Sequence, residues 1–259
     1  VSAGAIQGYF GGNIDLIFSY ITDEDKNFKM EAVGDLNEFT AQSSFLGSNL
    51  DFKDGKIRFL IRPYNDKYSG FLDIKTPNLN IEINSVFDED KMESLELPRF
   101  QTPIQDFNAK IKNNEELDLS LAGQRLSLEK IDFKGDNKIF EFNDVNLKLS
   151  VNEFFLGKRK FDSPRINFKK KNKKFEQLAV DLTGEKDYHK IYLREENGKK
   201  KFFLESNYVP GLFDLLDIKF KVNTGSLKIE GEKDESSGKF IGLIAGKDFV
   251  FLDTPFLAD

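Results

Sequence analysis

The 259-residue chain contains no cysteine, no tryptophan and a single histidine. Without cysteine it can have no disulfide framework, no thiolate zinc site and no cysteine nucleophile. No stretch approaches the roughly 18 uninterrupted apolar residues that a membrane-spanning helix needs. The densest apolar stretch, Phe249 to Leu257, is interrupted by Asp253 and Pro255. We therefore expect no transmembrane helix within these residues.

Charged and aromatic residues are abundant instead. Lys and Arg number 38 against 44 Asp and Glu, so the net charge is −6, and the chain contains 27 phenylalanines. This composition is typical neither of a disordered acidic tail nor of a membrane bundle. The first residue is Val1, and the residues after it lack the basic region and apolar core of a signal peptide. We interpret the chain as a folded segment of a longer protein.

Apolar residues recur at every second position in a series of short segments, separated mostly by Asp, Glu, Lys, Asn and Ser. Such alternation predicts β-strands with one apolar and one polar face. Turn residues, such as Asp54-Gly55 and Asn197-Gly198, punctuate the segments and predict a continuous antiparallel meander. The segments are 14–20, 57–61, 79–83, 117–121, 145–151, 166–168, 180–182, 218–222, 227–229 and 241–243.

Helix-forming segments are scarce. The best is Pro210 to Leu216, with proline near its start and a short apolar face; weaker candidates are Asp88 to Leu95 and the start of the chain. Because so little helix is available to cover the apolar face, the sheet must curl on itself, pair with a second sheet or stay open. We expect an all-β, mainly antiparallel fold, in which a long twisted meander curls into an open apolar groove, with a few short helices.

The clearest break in the pattern is Leu97 to Pro103, which contains two prolines that a central strand would not accept. We place a soft domain boundary there. Residues 1–97 would be the N-terminal part of an extended sheet and residues 98–259 its second part. We expect the two parts to form one continuous sheet.

No catalytic constellation stands out. His189 is the only imidazole, and we expect it to be an edge-facing polar residue or a buried member of the sheet rather than a base. Asp23 to Asn27 begins like a calcium loop, but Phe28 stands where glycine is needed. Gly242 to Asp248 lacks the spacing of a phosphate-binding loop. We predict no enzyme activity, no cofactor and no metal site.

Basic residues cluster at Lys158 to Lys160, Lys169 to Lys174 and Lys199 to Lys201. Because the chain as a whole is acidic, we predict no nucleic-acid partner. Two interpretations of the clusters remain. They are solvated turn lysines that discourage pairing of sheet edges, or they contact anionic lipid headgroups.

The C-terminal part of the chain carries a series of motifs. They are a strand and short helix at Phe202 to Leu216, a glycine turn and alternating strand at Thr224 to Gly231, a Gly-x-x-x-Gly strand with Asp-Phe at Gly238 to Phe249, and a close at Asp253 to Leu257. In order and spacing this series resembles the C-terminal region of the AsmA-like family, which includes YhdP- and TamB-type periplasmic proteins. Two positions depart from the family's pattern: Ser206 to Gly211 stands where the family often has Ser-Asp-Asp-x-Gly, and Gly225 stands where it has Gly-Gly.

This resemblance implies a long twisted antiparallel sheet curled into a trough with apolar residues inside. It also implies a bridge-like lipid transporter of Gram-negative cells, located in the periplasm and tethered to the inner membrane by a helix outside this segment. Its role would be phospholipid transport between the inner and outer membrane, in outer-membrane biogenesis. Its partners would be phospholipids and the two membranes or their proteins.

If acyl chains lie in such a trough, alternating apolar residues line it, although an ordinary closed core is the alternative for each of them. Two other functions stay open. A periplasmic scaffold that assists outer-membrane protein assembly or envelope spacing would have a sealed core, and a secreted carbohydrate-active or adhesive protein would have a carboxylate pair in a cleft. The predicted lining residues are Ile57, Phe59, Ile61, Leu79, Ile81, Ile83, Leu117, Leu119, Leu121, Val145, Leu147, Leu149 and Val151.

Overall fold

The computed structural model describes residues 8–22, 28–43, 47–52, 54–88, 91–113, 116–128, 143–172, 174–196, 198–216, 218, 222–234, 237 and 239–251. These residues form β-strands and one short α-helix. The strands are β1 (Gly8–Thr22), β2 (Phe28–Ser43), β3 (Gly47–Phe52), β4 (Gly55–Tyr64), β5 (Lys67–Lys75), β6 (Asn80–Phe87), β7 (Met92–Gln101), β8 (Asp106–Asn113), β9 (Glu116–Leu128), β10 (Asp144–Leu156), β11 (Arg159–Lys171), β12 (Lys174–Gly184), β13 (Tyr188–Glu196), β14 (Lys199–Ser206), β15 (Val222–Asp234) and β16 (Phe240–Phe251), and the helix is α1 (Val209–Leu215).

All the strands belong to one sheet. From β1 to β16 they lie side by side in chain order, except that the short β3 pairs only with the far end of β2. β1 and β16 do not pair with each other, so the sheet is an open, curled structure rather than a closed one. The predicted all-β, mainly antiparallel fold is confirmed. Asp54 and Gly198 take positive φ angles, of 59° and 74°, at two of the predicted turns.

One strand pair departs from a purely antiparallel meander. β9 and β10 are parallel, with Leu117 opposite Val145 and Leu128 opposite Leu156. Two parallel neighbours cannot be joined by a tight turn, because the chain must return to the end at which it started. The residues that make this return, 129–142, lie outside the described residues. The alternating pattern of each strand is the same for either direction, so the sequence did not reveal this exception.

The strand register sorts the side chains into two faces. Residues paired across neighbouring strands point to the same side of a sheet. Ile57 of β4 is opposite Ile74 of β5, which is in turn opposite Ile81 of β6. This side, the apolar face, continues in the same way through the later strands. The alternate positions make up the polar face.

The polar face carries ion pairs that cross the strands. Arg125 of β9 and Lys160 of β11 both reach Glu153 of β10, at 2.8 and 2.7 Å. Their hydrogen bonds hold the pKa of Glu153 below its usual range. Arg58 and Glu31 form a similar pair between β4 and β2. Exposed pairs of this kind add little stability, so we infer that this face serves mainly to keep the sheet in water.

α1 and the turns that join β5 to β6, β7 to β8, β10 to β11 and β12 to β13 lie at one end of the sheet. We call it the closed end. Phe154 and Phe161 are 1% and 0% exposed, with ring centroids 6.1 Å apart, and Leu215 of α1 packs against the cluster that contains them. This core cluster therefore sits at the closed end of the strands. The cluster is Leu79, Phe100, Phe107, Leu126, Val151, Phe154, Phe161 and Leu182.

Helix α1 lies within one residue of the segment predicted from Pro210 to Leu216. The weaker candidate, Asp88 to Leu95, is wrong, because Met92 and the residues after it form β7. Pairing of β7 with both β6 and β8 outweighs the slight local preference for helix. The start of the chain is described from Gly8, where β1 begins. Residues 1–7 lie outside the described residues.

The two prolines of the predicted break do not interrupt the sheet. Pro98 lies inside β7, where the register against β8 shifts between Leu97 and Phe100. The ladder of hydrogen bonds is irregular at such a bulge, so a residue without an N–H is tolerated there. Pro103 lies in the turn between β7 and β8. The sheet passes from residues 1–97 into residues 98–259 without a gap at this point.

Candidate functional site

The predicted lining residues all point to the apolar face, where they form two blocks. In the first block β4 and β6 flank β5, so that Phe59 is opposite Leu72 and Leu72 is opposite Ile83. In the second block β9 and β10 pair directly, with Leu119 opposite Leu147. Strands β7 and β8 separate the blocks. The alternation in the sequence thus placed these residues on one common surface.

The predicted lining residues differ in how much of each side chain is accessible. Leu79, Leu117, Val145 and Val151 are 0–5% exposed. Leu79 and Val151 belong to the core cluster of the closed end, whereas Leu117 and Val145 are buried at the opposite end of β9 and β10. None of the four presents much surface to a ligand. The others are half-buried, as expected for side chains that line an open groove. The half-buried residues are Ile57, Phe59, Ile61, Ile81, Ile83, Leu119, Leu121, Leu147 and Leu149.

The apolar face extends beyond the predicted lining. A continuous row crosses β10 to β14, in which each residue is paired with the next and every side chain is half-buried. Sequence reasoning identified several of these strands but did not assign them to the groove. Their period-two alternation was the available signal, and the missing information was which strands are neighbours. The row is Leu147, Phe168, Leu178, Leu193 and Phe202.

Exposure of the apolar face rises toward the two edge strands. Leu16 and Phe18 of β1 are 52% and 59% exposed, and Ile244 of β16 is 70% exposed. The face is therefore buried at the closed end and at Leu117 and Val145 near the opposite end, half-buried over the middle of the sheet and open at both edges. A closed sandwich would bury it throughout. The arrangement is that of an open apolar groove.

The groove is long enough for an acyl chain. β10 has 13 residues, and a strand rises about 3.4 Å per residue, which gives about 44 Å. One leaflet of a bilayer contributes about 15 Å of hydrocarbon, half of a core that is about 30 Å thick. An acyl chain can therefore lie along the strands without reaching the closed end.

His189 is buried in the sheet next to the start of α1. Its Nδ1 lies 2.8 Å from Ser206 Oγ and its Nε2 lies 3.6 Å from Asp187 Oδ2. These residue types also form hydrolase triads. Ser206 is buried as well, however, and its oxygen accepts the N–H of Tyr208, so it has no path to a substrate. Of the two interpretations of His189, the buried member of the sheet is correct, and the cluster anchors α1 to β13 and β14.

The burial of His189 predicts a loss of stability in mild acid. Desolvation lowers the pKa of His189, although Asp187 partly opposes this shift. The unfolded chain takes up a proton near pH 6.5, before the folded protein does, so the free energy of unfolding should fall as pH drops below that value. The slope is at most about 1.4 kcal/mol per pH unit. Urea unfolding between pH 7.5 and 5.5 measures it.

The control for this pH dependence is His189→Gln, which removes the titrating group and keeps hydrogen-bonding capacity toward Ser206. Its stability should vary less with pH over the same interval. An equal slope in both proteins would contradict the assignment.

Other kinds of site are not found in the part of the chain that the structure describes. No group of three or more Asp, Glu or His side chains there is arranged to hold a metal ion. No helix among the described residues is long and apolar enough to cross a membrane. Gly242 to Asp248 lies within β16, and the calcium-like residues Asp23 to Asn27 lie outside the described residues.

The motifs that resemble the AsmA-like family fall on β14 with α1, on β15 and on β16. Residues 252–259, which carry most of the closing motif, lie outside the described residues. Comparisons with protein-family models, with curated proteins and with solved structures give no match to this chain.

Proposed function

We propose that this chain is a periplasmic segment of an AsmA-like protein anchored in the inner membrane, and that its apolar groove shields phospholipid acyl chains during transport between the inner and outer membrane. The observation that carries the proposal is the half-buried apolar face, which runs without interruption across neighbouring strands. A long, continuous apolar face suits a ligand that is itself long and apolar.

Burial of hydrocarbon supplies enough free energy for this function. Each methylene removed from water contributes about 0.8 kcal/mol, so ten methylenes contribute about 8 kcal/mol before the cost of ordering the lipid. No specific polar contact is required, and the headgroup can stay in water at the open side.

The lining also suits movement of the lipid. Leu119, Leu147 and Phe168 present similar apolar surfaces at successive strands. An acyl chain that shifts from one strand to the next replaces its apolar contacts with similar apolar contacts, so the free-energy barrier between positions is low. We infer that the groove serves transport rather than storage.

Extraction of the purified protein tests the proposal. The chain is expressed in a Gram-negative host, purified without detergent and extracted with organic solvent for mass spectrometry. We expect phospholipid in reproducible proportion to protein. Reproducible absence of phospholipid after gentle purification would overturn the proposal.

The second candidate function is a non-enzymatic periplasmic scaffold that assists outer-membrane protein assembly or envelope spacing. The edge strands favour it. β1 contains a single charged residue, Asp15, and exposes Ile17 and Ile21 on the side opposite Leu16 and Phe18. Edge strands are normally protected by charge or proline, so an apolar edge suits addition of a further strand. The scaffold predicts assemblies that form without bound lipid.

A further inference from the structure

Lysines gather at the end of the strands opposite the closed end, which we call the lysine end. The turns from β11 to β12 and from β13 to β14 lie there, and they are neighbours because β12 pairs with β13. One turn carries Lys169 to Lys171 and Lys174, and the other carries Lys199 to Lys201. The sheet thus brings two of the basic clusters in the sequence together.

Acidic neighbours neutralise only part of this charge. Lys169 pairs with Glu176 at 2.9 Å. Lys171 and Lys174 are exposed and make no ion pair with any residue that the structure describes. Both line a depression of about 590 Å³, whose other charged lining residues are Lys169, Arg194, Glu176 and Glu195. Its cationic side chains outnumber its carboxylates, so the recess is positive on a chain whose net charge is −6.

A row of aromatic rings lies at the same end, on the apolar face of the first strands. Tyr20, Phe28, Tyr68 and Phe87 follow one another with ring centroids 6.1, 4.6 and 6.0 Å apart. Tyr20 is 57% exposed. Tyrosine combines an apolar ring with a polar hydroxyl, which suits the boundary between hydrocarbon and water.

The apolar face reaches this end directly beside the lysines. Phe168 precedes Lys169 and Phe175 follows Lys174, and the two rings meet edge to face with centroids 5.5 Å apart. Cationic side chains and apolar rings are therefore adjacent at this end of β11 and β12, and the row of aromatic rings lies at the same end of β1, β2, β5 and β6.

We propose that the lysine end docks on a lipid surface with anionic headgroups and sets the mouth of the groove against that surface. Lysine ammonium groups attract the negative surface of an anionic leaflet, and long lysine side chains reach it while their stems stay on the protein. The inference extends the proposed function by naming the place where lipid enters or leaves, and it rests on that function only for the cargo of the groove.

Vesicle flotation tests the docking. The purified chain is mixed with phosphatidylcholine vesicles that contain or lack phosphatidylglycerol. We expect binding to the anionic vesicles only, and weaker binding as ionic strength rises. The double substitution Lys171→Glu with Lys174→Glu should lower partitioning about thirty-fold or more, because each lysine at an anionic surface contributes about a fivefold change.

The matched control is Lys158→Glu with Lys186→Glu, which makes the same change of charge at exposed positions of the closed end. It should keep most of the binding. The inference would be overturned if both double variants lost vesicle binding equally, or if binding did not depend on the charge of the vesicles. Full competition by inorganic phosphate at the lipid phosphate concentration, which indicates a small-anion site, or by single-stranded RNA, which indicates a nucleic-acid partner, would also overturn it.

Failure of docking and failure of the proposed function are distinguishable on the same samples. If phospholipid co-purifies with the protein but the protein does not bind anionic vesicles, the docking proposal is wrong and the proposed transport function stands. If the protein binds anionic vesicles but contains no phospholipid, the docking proposal stands and the proposed transport function is wrong. Circular dichroism of each double variant shows whether the sheet is intact.

Discussion

Replacement of Leu147 by Asp is expected to leave the protein folded and to reduce co-purified phospholipid about tenfold or more. Leu147 is half-buried on the wall of the groove, so a carboxylate there keeps contact with water. Hydrocarbon packed against that carboxylate would desolvate it, which costs several kcal/mol. The measurement is mass spectrometry of extracted lipid, normalised to protein, beside a urea unfolding curve.

Two matched variants on β10 separate the loss of lipid from the loss of fold. Ser150→Asp adds the same charge at an exposed position of the polar face and should change neither lipid content nor fold. Phe154→Asp places the charge in the core of the closed end and should unfold the protein, because a buried charge costs more than a marginally stable domain can lose. If Leu147→Asp keeps as much lipid as Ser150→Asp, the groove does not hold acyl chains.

Replacement of Phe161 by Ala is expected to lower the free energy of unfolding by about 3–5 kcal/mol, through lost burial and the cavity that remains. Phe161 is 0% exposed and lies between Phe154 and the imidazole of His189, each with a ring centroid 6.1 Å away. The closed end therefore has little freedom to collapse around the missing ring. Urea denaturation at pH 7.5 gives the loss directly.

Phe203→Ala is the control for this substitution. Phe203 lies on the polar face of β14, where its half-buried ring packs against Tyr192 with centroids 5.9 Å apart. Its loss should cost clearly less than the loss of Phe161. Similar losses from both variants would show that the closed end is no better packed than the polar face.

The strands and their two faces could be predicted from the sequence, because the alternation of apolar and polar residues is a local property. Ile57, Leu119 and Leu147 alternate with polar neighbours, and a one-residue slip would turn each of them to the wrong side. The short helix was also visible, since Pro210 marks its start. Pro98 was misread because a bulge depends on the facing strand. The parallel pairing of β9 with β10 likewise depends on the path of the chain between them.

The accessibility of the lining could not be read from the same pattern. Val145 and Leu147 are two residues apart on one face of β10, yet Val145 is buried and Leu147 is half-buried. The difference arises from what packs over each position, which local alternation does not encode. In the same way, the meeting of His189 with Ser206 depends on the pairing of β13 with β14. Contacts across strands decide which apolar residues form core and which form groove.

The most direct measurement of the open groove uses the absence of tryptophan from the chain. Phe202 and Phe203 are adjacent and half-buried in β14, and they point to the apolar and the polar face respectively. Each is replaced singly by Trp, and the protein is loaded with phospholipid brominated on its acyl chains. Strong quenching of Phe202→Trp beside weak quenching of Phe203→Trp is the predicted result. Equal quenching of the two, or none in either, would contradict the account.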